Sequence, residues 1–187
     1  MTEIEIIREI AGQACGIFVL VYSVVAAHLP KRWMILVGAT AGNFFAAMNQ
    51  LLVGSGLTAC FACLMATINC PINAYKAKKG IPTKKWENIL WAALYILAWA
   101  AGFGIGIATG TASALDLMTL VTTIFFIGHV LSTDEKKMRW YYLGNGAVFM
   151  VYDAINLNIS ALAKLFSVIS TLMAIFRFKN KEKRSTD

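Results

Sequence analysis

Trp86 to Thr109 reads WENILWAALYILAWAAGFGIGIAT, and after Glu87 it carries no charged side chain. A membrane-spanning helix needs about 20 mostly apolar residues, so this run is long enough to cross a bilayer once. It lies mid-chain, with a block of three apolar runs on either side. A single helix between two blocks of odd span number returns the chain to its starting side. Both blocks then cross in the same direction. The run therefore reads as a connector rather than a site. Ala100, Ala101, Gly102, Gly104, Gly106 and Gly110 give it small residues suited to close helix contact in lipid. Its Gly-x-Gly-x-Gly spacing lacks the preceding strand and the phosphate-reading residue that a nucleotide loop needs.

The composition sets the class. The 187 residues are 58% hydrophobic and only 14% charged, whereas soluble domains average roughly a quarter charged residues. The expectation is an integral membrane protein forming a single membrane domain over residues 1–187, with no separate soluble domain. A net charge of +7 would suggest nucleic acid in a soluble protein. Here the basic residues lie in short connections and the tail, where they set orientation. The expected partner is the lipid bilayer, with no nucleic acid. Cys15, Cys60, Cys63 and Cys70 all lie in apolar runs. The Cys60-x-x-Cys63 spacing has no histidine or second cysteine pair on its span. These thiols read as small hydrophobes, and no metal or cofactor is expected. Glu3, Glu5 and Glu9 outnumber Arg8 at the N-terminus, unlike the positive start of a signal peptide.

Seven spans are expected, over residues 10–29, 33–53, 57–75, 89–109, 115–131, 138–157 and 159–178. They are too long and too uniformly apolar for barrel strands. Lys31 and Arg32 join the first two spans. Lys76, Lys78, Lys79, Lys84 and Lys85 join the third and fourth. Lys136, Lys137 and Arg139 join the fifth and sixth, and Arg177, Lys179, Lys181, Lys183 and Arg184 follow the seventh. The other connections, Gly54-Ser55-Gly56, Gly110 to Ala114 and Asn156 to Ser160, carry no Lys or Arg. With seven spans every basic cluster falls on one side, which the positive-inside rule makes cytoplasmic. The N-terminus is then outside and the C-terminus inside. Trp33, Trp86 and Trp140 fall at that same interface, as an aromatic belt would.

The two blocks resemble each other. Lys31-Arg32-Trp33 precedes Met48-Asn49-Gln-Leu-Leu-Val-Gly-Ser55 in the first. Met138-Arg139-Trp140 precedes Tyr152-Asp153-Ala-Ile-Asn-Leu-Asn-Ile-Ser160 in the second. The expected architecture is all-α: two parallel three-helix bundles, 10–79 and 115–180, joined by a linker helix, 86–110. Repeats related by an axis along the membrane normal are a transporter signature.

The second block also resembles a known family. Leu120-Val-Thr-Thr-Ile, Asp134-Glu-Lys-Lys-Met-Arg139, Tyr152-Asp153, Ile159-Ser160 and Ile175-Phe-Arg177-Phe178 look like the YgjV-type bacterial inner-membrane proteins. Gly12-x-x-x-Gly16 and Leu51-Leu-Val-Gly-Ser55 extend the likeness to the first block. The family implies a multi-pass location in the bacterial inner membrane and assigns no biochemical activity. Asp153 stands where its pattern favours Asn, and Lys164 near a position favouring an acid. The three-plus-one-plus-three plan is similar to the SWEET sugar facilitators and the PnuC vitamin-precursor transporters, in architecture alone.

Chemistry should sit on polar residues inside the spans. A charge near a helix centre costs about 2.5–3.5 kcal/mol on insertion scales. Asp153 and Lys164 each lie about 7–8 Å from their span midpoints at 1.5 Å per residue. An ion pair between them is geometrically reasonable, and so is a Lys164 that snorkels to the outer interface. Asn49 holds the place of Asp153 in the first block and could face the same cavity or bond a neighbouring helix. Asn43, Asn69, Asn73 and Asn145 are similar, and Tyr152 joins the set beside Asp153. Pro71 interrupts the third span by removing the hydrogen bond to Thr67, which gives a kink or a broken helix. His129, near the end of the fifth span, could relay protons, although two isolated histidines make no metal site.

No nucleophile–base pair, paired carboxylates or phosphate loop occurs, so no catalytic residue and no enzyme activity are expected. The function expected is a transporter or facilitator of an unknown small solute, with its site between the two bundles. The alternative is a non-transporting membrane assembly factor or receptor that uses a basic rim. A homo-oligomer stays open.

Overall fold

A backbone in lipid must satisfy its own N–H and C=O groups, and an apolar run does so as a helix. The computed structural model describes residues 2–53, 56–158 and 160–184, with side chains as far as Phe178. Gly54 and Ser55, Ile159, and the side chains of Lys179, Lys181, Lys183 and Arg184 lie outside the described residues. The described residues form seven helices: α1 (Glu3–His28), α2 (Arg32–Val53), α3 (Leu57–Lys79), α4 (Lys85–Ala108), α5 (Asp116–Leu131), α6 (Glu135–Ile155) and α7 (Ser160–Arg184). Helix α1 starts well before the apolar run because Thr2 and Glu5 form a capping box ahead of it. Helix α6 starts at Asp134, whose carboxylate accepts from the Lys136 and Lys137 amides. Helix α3 runs through Pro71 without breaking and ends on Gly80 at φ +66°.

Five helices are long and apolar enough to cross a membrane: α1, α2, α3, α4 and the Ser160–Phe178 part of α7. Helix α5 has only 16 residues, and α6 buries Arg139, Asn145 and Asp153. These two helices fall short through length and interior polarity.

Helix α2 packs between α1 and α3, and α6 between α5 and α7. The two sets meet where α1 touches α7 and α3 touches α5. Helix α4 lies against α3 and α5 and buries only Tyr95, Gly102 and Gly106. The connections α1–α2, α3–α4 and α5–α6 gather with the end of α7 at one end of the bundle. That end carries the basic residues. There Lys76 bridges to Glu87 at 2.6 Å, and the Lys78 ammonium lies 5.3 Å from the Trp33 ring centre.

Of the small residues in the α4 run, Gly102 makes the close helix contact. A Cβ there would sit 2.9 Å from the Leu57 carbonyl oxygen and 2.9 Å from Thr58 Cα. Both are backbone atoms at the start of α3 and cannot turn aside. Gly102→Val should therefore destabilise the protein by about 2 kcal/mol through overpacking, read as a lower Tm in detergent. Gly104 has nothing within 4 Å of its would-be Cβ. Gly104→Ala should leave Tm unchanged or raise it, since alanine is the better helix former. Equal effects at the two positions would refute the packing account.

Candidate functional site

A cavity of about 20 Å³ lies between the two helix sets, walled by Asn43, Ala62, Cys63, Tyr95, Thr122, Thr123, Phe126, Asn145, Phe149 and Lys164. Six helices, α2 to α7, each contribute to it. Its volume is room for about one ordered water. The amide of Asn145 donates to the Thr122 carbonyl at 2.9 Å, and that of Asn43 to the Ala39 carbonyl at 2.7 Å. The hydroxyls of Thr122 and Thr123 both donate to the Thr119 carbonyl. Tyr95 is fully buried, and among the described residues its hydroxyl has no partner within hydrogen-bond geometry, although the Asn69 amide lies beside it.

Lys164 is half-buried, with its ammonium 5.0 Å from the centre of the Phe149 ring. Among the described residues no carboxylate comes within ion-pair distance of it. Asp153 is fully buried, and its two oxygens accept from the Gln50 amide at 3.1 Å and from the Ser160 hydroxyl. The direct Asp153–Lys164 ion pair is therefore absent. A cross-block bond to α2 and a local bond to the start of α7 occupy the carboxylate instead. Lys164 folds over an aromatic face within the bundle.

Asp153 belongs to a polar layer at the non-basic end of the bundle. There the amide of Asn49 donates to the Gly12 carbonyl at 2.8 Å, and Asn158 donates to Asn49 at 2.9 Å. The Thr58 hydroxyl bonds Asp116, which also accepts from the Ser113 amide at 2.8 Å. Tyr152 is buried edge-on against Phe149, its hydroxyl against Gly56 and near Asp116. An apolar cluster that includes Ile35, Leu36, Val130 and Met138 adjoins the cavity through Phe126 and Tyr95.

Asn43, Asn145 and Lys164 are thus the expected residues that meet at the cavity. Asn49, Tyr152 and Asp153 sit in the polar layer. Asn49 does not share the cavity, because its amide spans α1 and the α6–α7 connection. Asn69 and Asn73 are buried on α3, bonded to each other. Reading the sequence missed Tyr95, Thr122 and Thr123. Tyr95 was hidden in the connector, and a threonine in an apolar run can satisfy its hydroxyl on its own helix. It also missed Gln50, Asn158 and Ser160, whose signal was buried polarity beside Asn49 and Asp153.

At the basic end two arginines reach across between the helix sets. Arg32, opening α2, donates from Nε to the Ser132 carbonyl at 2.8 Å and from Nη2 to the Val130 carbonyl at 3.1 Å. Arg139, near the start of α6, donates from Nη2 to the Leu29 carbonyl at 2.9 Å and from Nε to the Ala27 carbonyl at 3.5 Å. Each arginine caps the carbonyl end of the first helix of the opposite set, where cations are favoured. Arg32 and Arg139 are also the positions paired in the sequence repeat. His129 is buried beside this latch and donates from Nδ1 to the Met138 carbonyl at 2.9 Å. With Arg139 and Tyr142 it walls a second cavity of about 10 Å³.

No family model, curated protein or solved structure matches this chain. The site therefore rests on its own geometry. Among the described residues no group of His, Cys, Asp or Glu is arranged to hold a metal ion.

Proposed function

We propose that this protein crosses the bacterial inner membrane seven times and carries a small solute through the cavity between its two three-helix sets. The observation that supports this most is the cavity itself: partly polar, placed between the two sets and built by six helices. The reciprocal arginine contacts support a pair of related halves that hold one another at the basic end. In this reading the basic end is cytoplasmic and the N-terminus lies outside. Helix α5 is about 24 Å long and crosses with help from its flanking connections. The likeness to the YgjV-type proteins is part of the same proposal.

The cavity holds about one water, so carrying a solute requires the halves to part. Cys63 on the cavity wall is a native reporter of that motion. In a protein with Cys15, Cys60 and Cys70 replaced by alanine, a soluble maleimide should label Cys63 slowly, and faster once solute is bound or moving. Purified protein in liposomes, screened against sugars, nucleosides, vitamins and amino acids, should give uptake above empty vesicles.

The tightness of the cavity favours a second reading, a non-transporting assembly factor or receptor. It would use the exposed Lys79, Lys84 and Lys85 at the basic end, near anionic lipid. A Cys63 that never labels in folded protein, together with no uptake of any solute, would select this reading.

A further inference from the structure

Lys164 brings a positive charge to a cavity whose walls contain no carboxylate. An ammonium has three N–H donors and no acceptor, and the Phe149 ring below it takes none of them in a strong hydrogen bond. The nearest electrostatic counterpart is Asp153, but its oxygens are engaged by Gln50 and Ser160. A second donor lines the same cavity: the Tyr95 hydroxyl, fully buried beside the Asn69 amide and, among the described residues, without an acceptor for its proton. Even a half-buried cation gains from a paired anion, because a low-dielectric surrounding strengthens the attraction. The space present suits one compact group of about a water's size.

We infer that the cavity binds a small anionic group, either a free halide or the carboxylate end of a solute, held by Lys164 and the Tyr95 hydroxyl. The inference rests on reading this cavity as the substrate site and names the chemistry that site selects. The neutral amides of Asn43 and Asn145 and the hydroxyls of Thr122 and Thr123 also line it and impose no opposing charge.

The test is thermal unfolding of detergent-purified protein in gluconate buffer of constant ionic strength, titrated with sodium chloride, sodium acetate or acetamide. Chloride, acetate or both should raise Tm saturably, and acetamide, the neutral match to acetate, should not. A response to chloride alone identifies a halide, and to acetate alone a carboxylate solute. Lys164→Met should raise the half-saturating concentration about tenfold, as loss of a charge-assisted hydrogen bond does. Tyr95→Phe, which removes one oxygen, should raise it about threefold, and it decides the matter if Lys164→Met does not fold. An equal response to acetamide and acetate, no response to either anion, or an unchanged half-saturation in these variants overturns the inference. Saturable anion binding without uptake in liposomes would remove transport and keep the anion site. Uptake of a neutral solute without any anion effect would do the reverse.

Discussion

Asp153→Ala is expected to lower the unfolding free energy in detergent by about 3 kcal/mol. The carboxylate is fully buried and accepts from the Gln50 amide on α2 and from the Ser160 hydroxyl. Truncation removes an acceptor from each of these two buried donors, at about 1–3 kcal/mol each. Asp153→Asn retains one carbonyl oxygen and should cost less. Double-mutant cycles locate the partner. Asp153 and Gln50 should couple by about 1 kcal/mol or more, whereas Asp153→Ala and Lys164→Met should add within about 0.5 kcal/mol. Strong coupling to Lys164 and none to Gln50 would reverse the assignment and restore the ion pair that the sequence invites.

The second large effect belongs to Arg139. Arg139→Ala removes donors to the Leu29 and Ala27 carbonyls and the guanidinium packed 4.1 Å from the Phe178 ring centre. Hydrogen bonds from charged groups contribute about 1.5–3 kcal/mol, and a cation over an aromatic ring about 0.5–2 kcal/mol. A total loss of about 3 kcal/mol is expected, measured by chemical or thermal unfolding. Arg139→Lys should recover only part of it, because an ammonium lacks the planar fork that reaches two carbonyls. Arg32→Ala, at the matching position, should act in the same direction but less, since Arg32 is only half-buried. If the two latches hold the halves together at the basic end, either truncation should also speed maleimide labelling of Cys63. Lower stability with unchanged labelling would make the arginines helix caps and nothing more.

Some of this was legible in the chain alone. Apolar runs of membrane length specify helices because their hydrogen bonds close locally, and hydropathy reads that term directly. Lys and Arg crowd alternate connections, and in an antiparallel bundle alternate connections share an end. The pairing of Arg32 with Arg139 was visible as a repeat. Asn43, Asn145 and Lys164 were visible as polarity inside apolar spans.

What such polarity faces is a different question. A buried amide or ammonium can meet its own helix, a neighbour or a cavity, and the choice depends on the rotation of each helix against partners far away in sequence. Only the tertiary structure turned Tyr95 of the connector toward the centre and aligned Thr122 and Thr123 beside it. It also gave Asp153 to Gln50, 103 residues earlier, rather than to Lys164 on the next helix. Helix formation is local in energy and so is written in local sequence. The convergence of six helices on one small polar space is set by packing across the whole molecule.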